Sequence, residues 1–255
     1  MHILLTNDDG IFAPGLKALA DAAIARGHQV SISAPSKQCS ANGQHITLFS
    51  PLTVKEVAWE NAKAYAVDGT PADCVRITPA MIEEKIDVCI SGINDGENAG
   101  SCVYYSGTVS AAREAAMLYI PAIAVSLMAG ADDEMRKHMG EVAVKMAEKF
   151  QHIRLPKFTV INLNAPAIPP EQLKPMKLAR LSPAYFTDVY QKRLNPYGQP
   201  YFWLANNDPV AAPLEQQIHD PGTDYAFLQE GHITCTFLGD FQDYNGDFAE
   251  KMQDL

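Results

Sequence analysis

The opening of the chain changes hydrophobic period twice. Met1–Thr6 is a short continuous apolar run of the kind a strand buried on both faces requires, and Asn7-Asp8-Asp9-Gly10 closes it with turn residues. From Pro14 to Arg26 the apolar Leu16, Leu19, Ala20 and Ile24 recur at helical spacing. Pro14 stands near the first helical position and Gly27 just past the last, as that asymmetry predicts. Gln29–Ala34 (QVSISA) then reads as a second strand, which completes a βαβ unit.

The unit recurs. Ile86–Ile90 reads as a third strand of parallel type, followed by a Gly/Asn-rich loop from Ser91 to Gly100. Ser106–Leu118 has the small and apolar pattern of a helix, Ala122–Leu127 of a buried strand, Asp132–Phe150 of a charged, Met-rich helix, and Phe158–Leu163 of a further strand. This alternation predicts an α/β fold: a mainly parallel sheet with helices on both faces, and ligands outside the carboxyl ends of the strands. Two stretches break the rhythm. ITLFS, LTVKEVA and KAYAVD, between Ile46 and Asp68, read as antiparallel strands. Beyond about Pro175 the chain is rich in Pro, Tyr and Asn, with short strand-like pieces at Met176–Leu181 and Tyr201–Leu204. The expected division is a core over 1–175 and a β-rich C-terminal extension over 176–255, an arm plus a returning helix and strand and a tail. Tyr185, Phe186, Tyr190, Tyr201, Phe202 and Trp203 crowd that arm without a core pattern, which points to packing on the core and on a neighbouring subunit.

Composition narrows the classes. With 255 residues the chain can bury roughly 70–75% of its unfolded surface without disulfide or structural metal. Its formal net charge of −10 would repel long nucleic acid, although one local site can still bind a small phosphate compound. Five cysteines, Cys39, Cys74, Cys89, Cys102 and Cys235, form no C-x-x-C pair, so a reducing compartment is the simpler reading. Acids stand where a signal peptide would carry its apolar stretch, and the best apolar run, 120–131, contains Pro121 and is too short to span a bilayer. The expectation is a cytoplasmic protein with no membrane partner.

Four segments can carry chemistry. Asp8 and Asp9 stand where the first strand opens into the crevice, and in a turn both carboxylates can reach one ion; a solvated turn is the alternative. In SGINDGENAG (91–100), Asn94 and Asn98 offer amide groups and the glycines permit close approach to a ligand, unless the segment is simply a flexible loop. In YSGTVSAA (105–112), Ser106, Gly107 and Thr108 would present hydroxyls and free N–H groups at a helix N-terminus, as a phosphate cradle or as an ordinary cap. The loop APSKQCSANG (34–43) contributes Ser40. These ligands are all oxygens, so a metal would be a hard one, Mg²⁺ or Mn²⁺.

Together the segments resemble the stationary-phase survival protein family, SurE, whose members are metal-dependent nucleoside-monophosphate phosphatases. The matching words are ILLTNDDGIFAPGL (3–16), GTPADCV (69–75), SGINDGENAG, YSGTVSAAREAA (105–116), INLNAPAIP (161–169) and GTDYAFLQEGHITCTFL (222–238), in the family's order over nearly the whole chain. The resemblance implies a Rossmann-like core with β-rich extensions exchanged between subunits, in a homodimer or homotetramer. It implies one divalent cation per subunit on Asp8, Asp9, Ser40 and Asn94, and phosphate contacts from Asn98, Ser106, Gly107 and Thr108. One region departs: where members read A-P-D-R-x-x-S-G this chain has APSKQCSA, so the acid–Arg pair is Ser36-Lys37 and the glycine is Ala41. Asp95 also replaces the small residue usual after Asn94.

The expected reaction is hydrolysis of nucleoside 5′-monophosphates to nucleoside and phosphate, with 3′-nucleotides and short polyphosphate as further candidates. Asp8 and Asp9 are the expected catalytic residues. Two alternatives belong to other classes. A non-catalytic nucleotide-binding module would result if the altered 36–41 loop ended turnover. A phosphoryl-accepting, receiver-like domain would need an acceptor Asp after the third strand, where this chain has Ser91-Gly92-Ile93-Asn94. Cys39 precedes Ser40, and a nearby cation would favour its thiolate and an oxidation-sensitive site; a side chain turned away would be inert.

Overall fold

The first apolar run forms β1 (His2–Thr6), and its side chains divide between two cores: Ile3 and Leu5 enter one, Leu4 the other. The computed structural model describes residues 1–150, 153, 155–183, 190–204 and 220–239. After β1 come α1 (Pro14–Ala25), β2 (Gln29–Pro35), β3 (Val54–Val57), β4 (Lys63–Val67) and α2 (Pro71–Met81). There follow β5 (Val88–Asp95), α3 (Gly107–Met117), β6 (Ala122–Leu127), α4 (Asp133–Lys149) and β7 (Thr159–Ala165). The later elements are β8 (Lys174–Leu178), β9 (Tyr190–Leu194), β10 (Pro200–Leu204), α5 (Asp224–Gln229) and β11 (His232–Gly239).

Among the described residues nine strands form one sheet in the order β3-β4-β2-β1-β5-β6-β7-β11-β8. From β4 to β7 all neighbours are parallel. At the edges β3 runs antiparallel to β4, and β11 antiparallel to β7 but parallel to β8. Leu16 and Leu19 of α1 and Met135 and Met139 of α4 cover Ile3, Leu5, Ile32 and Ile90. On the opposite face Val75 of α2 and Val109, Ala112 and Ala115 of α3 cover Leu4 and Cys89. This is the α/β architecture that the alternating periods predict. The chain first builds outward from β1 to β2 and β4, then returns to place β5 on the other side of β1. The strand order therefore reverses between β1 and β5, and the crevice used by open α/β sheets lies between the loops that leave them.

Three local expectations differ from the structure. ITLFS (46–50) is no strand: the Asp73 carboxylate takes the Thr47 N–H that a ladder would use, and the Thr47 hydroxyl as well. The helix α2 was not expected, although Thr70 and Asp73 form a reciprocal capping box before it and Pro71 begins it. The segment from Ser91 is not a loop throughout: β5 continues to Asp95, with a register shift between Ser91 and Asn94. Gly92 permits this, since its φ is +143° and a Cβ there would lie 2.3 Å from the Val125 carbonyl oxygen.

In the C-terminal region β9 and β10 form a separate antiparallel pair with every position exposed, including Tyr190, Tyr201, Phe202 and Trp203. Tyr185 and Phe186 lie outside the described residues. The strand β11 enters the main sheet between β7 and β8. Among the described residues no helix is long and apolar enough to cross a membrane.

Candidate active site

Asn7 builds the turn that carries the two aspartates. Its side-chain amide donates to the Gly10 carbonyl at 2.9 Å and its Oδ1 accepts the Gly10 N–H at 3.1 Å, which closes the turn around Asp8 and Asp9. The loop after β2 is fastened to it: the Cys39 N–H donates to the Asp8 carbonyl at 2.7 Å, and the Ile11 N–H to that of Pro35 at 2.9 Å.

Helix α3 meets the same turn end-on. Ser106 is its cap, accepting the Val109 N–H on Oγ at 3.0 Å. Gly107 lies so close to Asp8 that a Cβ would stand 2.7 Å from the Asp8 Cβ and 2.8 Å from its Oδ2. Only glycine lets the helix approach the carboxylate in this way. The Thr108 hydroxyl donates to Asp8 Oδ1, and the main-chain N–H groups of Gly107 and Thr108 favour the charged carboxylate. Burial outweighs these contacts and holds the Asp8 carboxyl above its ordinary range.

Asp9 is perturbed further. Burial, followed by the adjacent Asp8 charge, pushes its carboxyl up to about 6. The Asp95 charge adds to this, while the Asp95 N–H and the Arg136 guanidinium act in the opposite sense. Two neighbouring carboxylates that resist ionisation together are a setting in which a divalent cation relieves both burial and repulsion.

The two neutral candidates are an amide and a hydroxyl. Asn94 donates its Nδ2 to the Gly96 carbonyl at 2.7 Å, which leaves Oδ1 as the end able to serve as a ligand. Ser40 is exposed, accepts the Gln38 side-chain amide at 3.1 Å, and follows the residue whose N–H is fixed to Asp8. Among the described residues no three His, Cys, Asp or Glu side chains form a metal-binding group. Two carboxylates with a hydroxyl and an amide oxygen fit a hard divalent cation that keeps water and substrate as further ligands, and do not fit structural zinc.

Asn98 is held from every side. Its N–H donates to Asn164 Oδ1 at 2.8 Å, its carbonyl accepts the side-chain amide of Asn162 at 2.8 Å, and its own Nδ2 donates to Ser126 Oγ at 2.7 Å. The 3-10 turn that follows, Gly100–Tyr104, leads into Ser106, and its first N–H donates to Asp224 Oδ2 at 2.9 Å. Asn162, Asn164, Ser126 and Asp224 were not among the expected site residues. Their only signal was polarity inside apolar words, AIAVSL, INLNA and GTDYAFL, where a buried strand or helix would otherwise carry aliphatic side chains.

The altered loop has a definite structure. Ser36 N–H donates to the Val67 carbonyl at 2.8 Å, and the exposed Lys37 ammonium lies 3.8 Å from Asp68. Ala41, where the family's word has glycine, sits at φ +58°. Cys39 does not support the thiolate expectation. Its side chain is buried, with Sγ directed to the carbonyls of Lys37 and Gly69, and burial pushes the thiol up rather than down.

A model of the family described as Survival protein SurE matches residues 3–188. The chain belongs to the SurE family. It is 41% identical over 250 residues to the protein named 5′-nucleotidase SurE of Desulfitobacterium hafniense (strain DSM 10664 / DCB-2), covering 96% of this chain and 93% of that one. The protein of the same name from Thermosipho africanus is 36% identical over 259 residues, covering 100% of this chain and 98% of the other. The crystal structure of the SurE protein from Aquifex aeolicus superimposes with a TM-score of 0.82 at 33% identity over 100% of both chains. Membership of the SurE family does not favour the receiver-like alternative, which needs an acceptor Asp where this chain has Ser91-Gly92-Ile93-Asn94.

Proposed function

We propose that this SurE-family chain is a 5′-nucleotidase that hydrolyses nucleoside 5′-monophosphates in the cytoplasm with one bound Mg²⁺ or Mn²⁺. The observation that carries the proposal is the meeting of Asp8, Asp9 and the N-terminus of α3 at the reversal of strand order. The relatives' shared name, 5′-nucleotidase SurE, supports the substrate class.

Asp8, Asp9, Ser40 and Asn94 would hold the cation. When bound it supplies Lewis acidity toward phosphoryl oxygens and lowers the pKa of a ligated water. Asp8 is oriented for this by Thr108 and kept at the mouth of α3 by Gly107. Ser106 accepts the Val109 N–H, which leaves its hydroxyl hydrogen to donate to a phosphoryl oxygen. Asn98, on its braced main chain, stands as a second polar contact on the β5 side, held before substrate arrives. The exposed β9–β10 pair would not be stable alone, and its aromatic side chains suit a contact with a second subunit, in a homodimer or homotetramer.

Phosphate release from nucleoside 5′-monophosphates, measured with Mg²⁺, with Mn²⁺ and with EDTA, tests the reaction. Turnover with either cation and none in EDTA is expected. Nucleotide binding without turnover would identify a non-catalytic binding module, and undiminished turnover in EDTA would remove the metal site. A monomeric mass by light scattering at micromolar concentration would remove the subunit contact.

A further inference from the structure

Strand register lays the side chains of the α2/α3 face in lateral rows. Leu4, Cys89, Ala122, Val160 and Leu238 stand opposite one another across β1, β5, β6, β7 and β11, all in one apolar cluster. Two residues nearer the carboxyl ends of the parallel strands, the same face carries Thr6, Ser91, Ala124 and Asn162, with Thr236 of the antiparallel β11 in the same register. One further step places Ser126, Asn164 and Thr234 together. The face thus changes from apolar to polar toward the crevice.

The outermost of these rows is hydrogen-bonded: Ser126 and Asn164 accept from Asn98, and Thr234 donates to the Asn164 carbonyl at 3.5 Å. The middle row is different. Thr6, Ser91 and Asn162 have no exposure and Thr236 only 3%, yet Thr6 Oγ1, Ser91 Oγ, Asn162 Oδ1 and Thr236 Oγ1 have no hydrogen-bond partner among the described residues. The Asn162 amide cannot be reversed to remedy this, because its Nδ2 donates to the Asn98 carbonyl.

Buried polar groups without protein partners are met in native proteins by ordered water making about two to four bonds, given space. Adjacent strands lie about 4.8 Å apart, so one water can reach polar atoms on neighbouring strands. The side chains around the row are small: Ala124 at its centre carries only a methyl group, and α3 contributes Ala111, Ala112 and Ala115 to the same cluster. We propose that this row binds a file of ordered waters, running beneath α3 from Thr6, two residues before Asp8, to Thr236 on β11. One of these waters would donate to Asn162 Oδ1 and so brace the side chain that carries Asn98. The inference concerns the sheet's interior and holds whether or not the crevice turns over nucleotides.

Thr236→Val and Ser91→Ala decide between a hydrated and a dry row, because the two cases give opposite signs. Removing a hydroxyl from a hydrated row deprives water of a partner, and each variant is expected to melt about 2–4 °C below wild type. Removing an unsatisfied hydroxyl from a dry core relieves a penalty, so two variants melting at or above wild type would overturn the proposal. A high-resolution crystal structure of the wild-type protein gives a second test, independent of how the variants fold. Density within hydrogen-bonding distance of Ser91 Oγ and Asn162 Oδ1 is expected, and a dry row there would overturn it.

Discussion

The Thr108 hydroxyl donates to Asp8 Oδ1, joining the first turn of α3 to the loop after β1. Expected as a phosphate contact, Thr108 is thereby also a support for a candidate metal ligand. Loss of a partner that orients a metal ligand typically costs about 10–100-fold in affinity or activity. Thr108→Val should therefore weaken Mn²⁺ binding by about that factor in calorimetry and lower kcat/KM with it. Thr108→Ser, which keeps the hydroxyl, should stay close to wild type. Unchanged Mn²⁺ affinity in the valine variant would return Thr108 to a phosphate contact alone.

Much of this arrangement was legible before the structure. Periodicity placed β1, α1, β2, α3, β6, α4 and β7 to within a few residues, because these elements are buried and their apolar spacing is imposed by two cores. It failed where side chains bond to backbone. Asp73 diverts Thr47 from strand pairing, and Gly92 lets β5 continue through a register shift that resembles a loop in composition. Asp8, Asp9, Asn94 and Ser106 stand out as candidates because strand ends and a helix start fall at or beside those positions. Asn162, Asn164 and Asp224 were not, since their role lies in bonds to Asn98 and Gly100, more than sixty positions away. No local pattern encodes such a pairing.

Ala41 occupies the left-handed region at φ +58° in the loop that carries Ser40. An L side chain there costs roughly 1–2 kcal/mol, partly offset in any exchange by glycine's greater unfolded-state freedom. Ala41→Gly should stabilise the protein by about 1 kcal/mol, a rise in Tm of about 2–4 °C by calorimetry. A lower Tm would show that the loop does not keep this conformation in solution.

Asp224 acts on the site from the far end of the chain. Its carboxylate accepts the N–H groups of Gly100 at 2.9 Å, Ser182 at 2.8 Å and Tyr225 at 2.9 Å, which holds the turn leading into Ser106. In Asp224→Asn one of these oxygens becomes an NH₂ facing a donor. A charged hydrogen bond is worth about 1.5–3 kcal/mol, so Tm should fall by roughly 4–10 °C. The nucleotide KM should rise while the Mn²⁺ dissociation constant stays within about twofold, because Asp8, Asp9, Ser40 and Asn94 lie on other segments. A fall in Tm with unchanged KM would leave Asp224 a purely structural residue.

The paired aspartates set the dependence on pH. Asp9 has its carboxyl pushed from the ordinary 3.8 to about 6 by burial and by Asp8, so between those values the folded protein holds a proton that the unfolded chain has released. Stability of the metal-free protein therefore falls as pH rises through this window, and the full penalty is present above about pH 6. Asp9→Asn removes that penalty: the metal-free variant should melt above wild type at pH 8 and close to it at pH 4. Cation binding has the opposite sense, because the ion must displace the proton. Apparent Mn²⁺ affinity should be level above about pH 7 and weaken below pH 6, approaching tenfold per unit as one proton is displaced. In wild type, Mn²⁺ should raise Tm at pH 8 and much less at pH 5, whereas Asp9→Asn should show little rise at either. The variant thus exchanges metal response for stability of the metal-free fold. An Asp9→Asn protein that melts below wild type at pH 8 without metal, yet keeps its Mn²⁺ response, would show that Asp9 supports the turn and holds no cation.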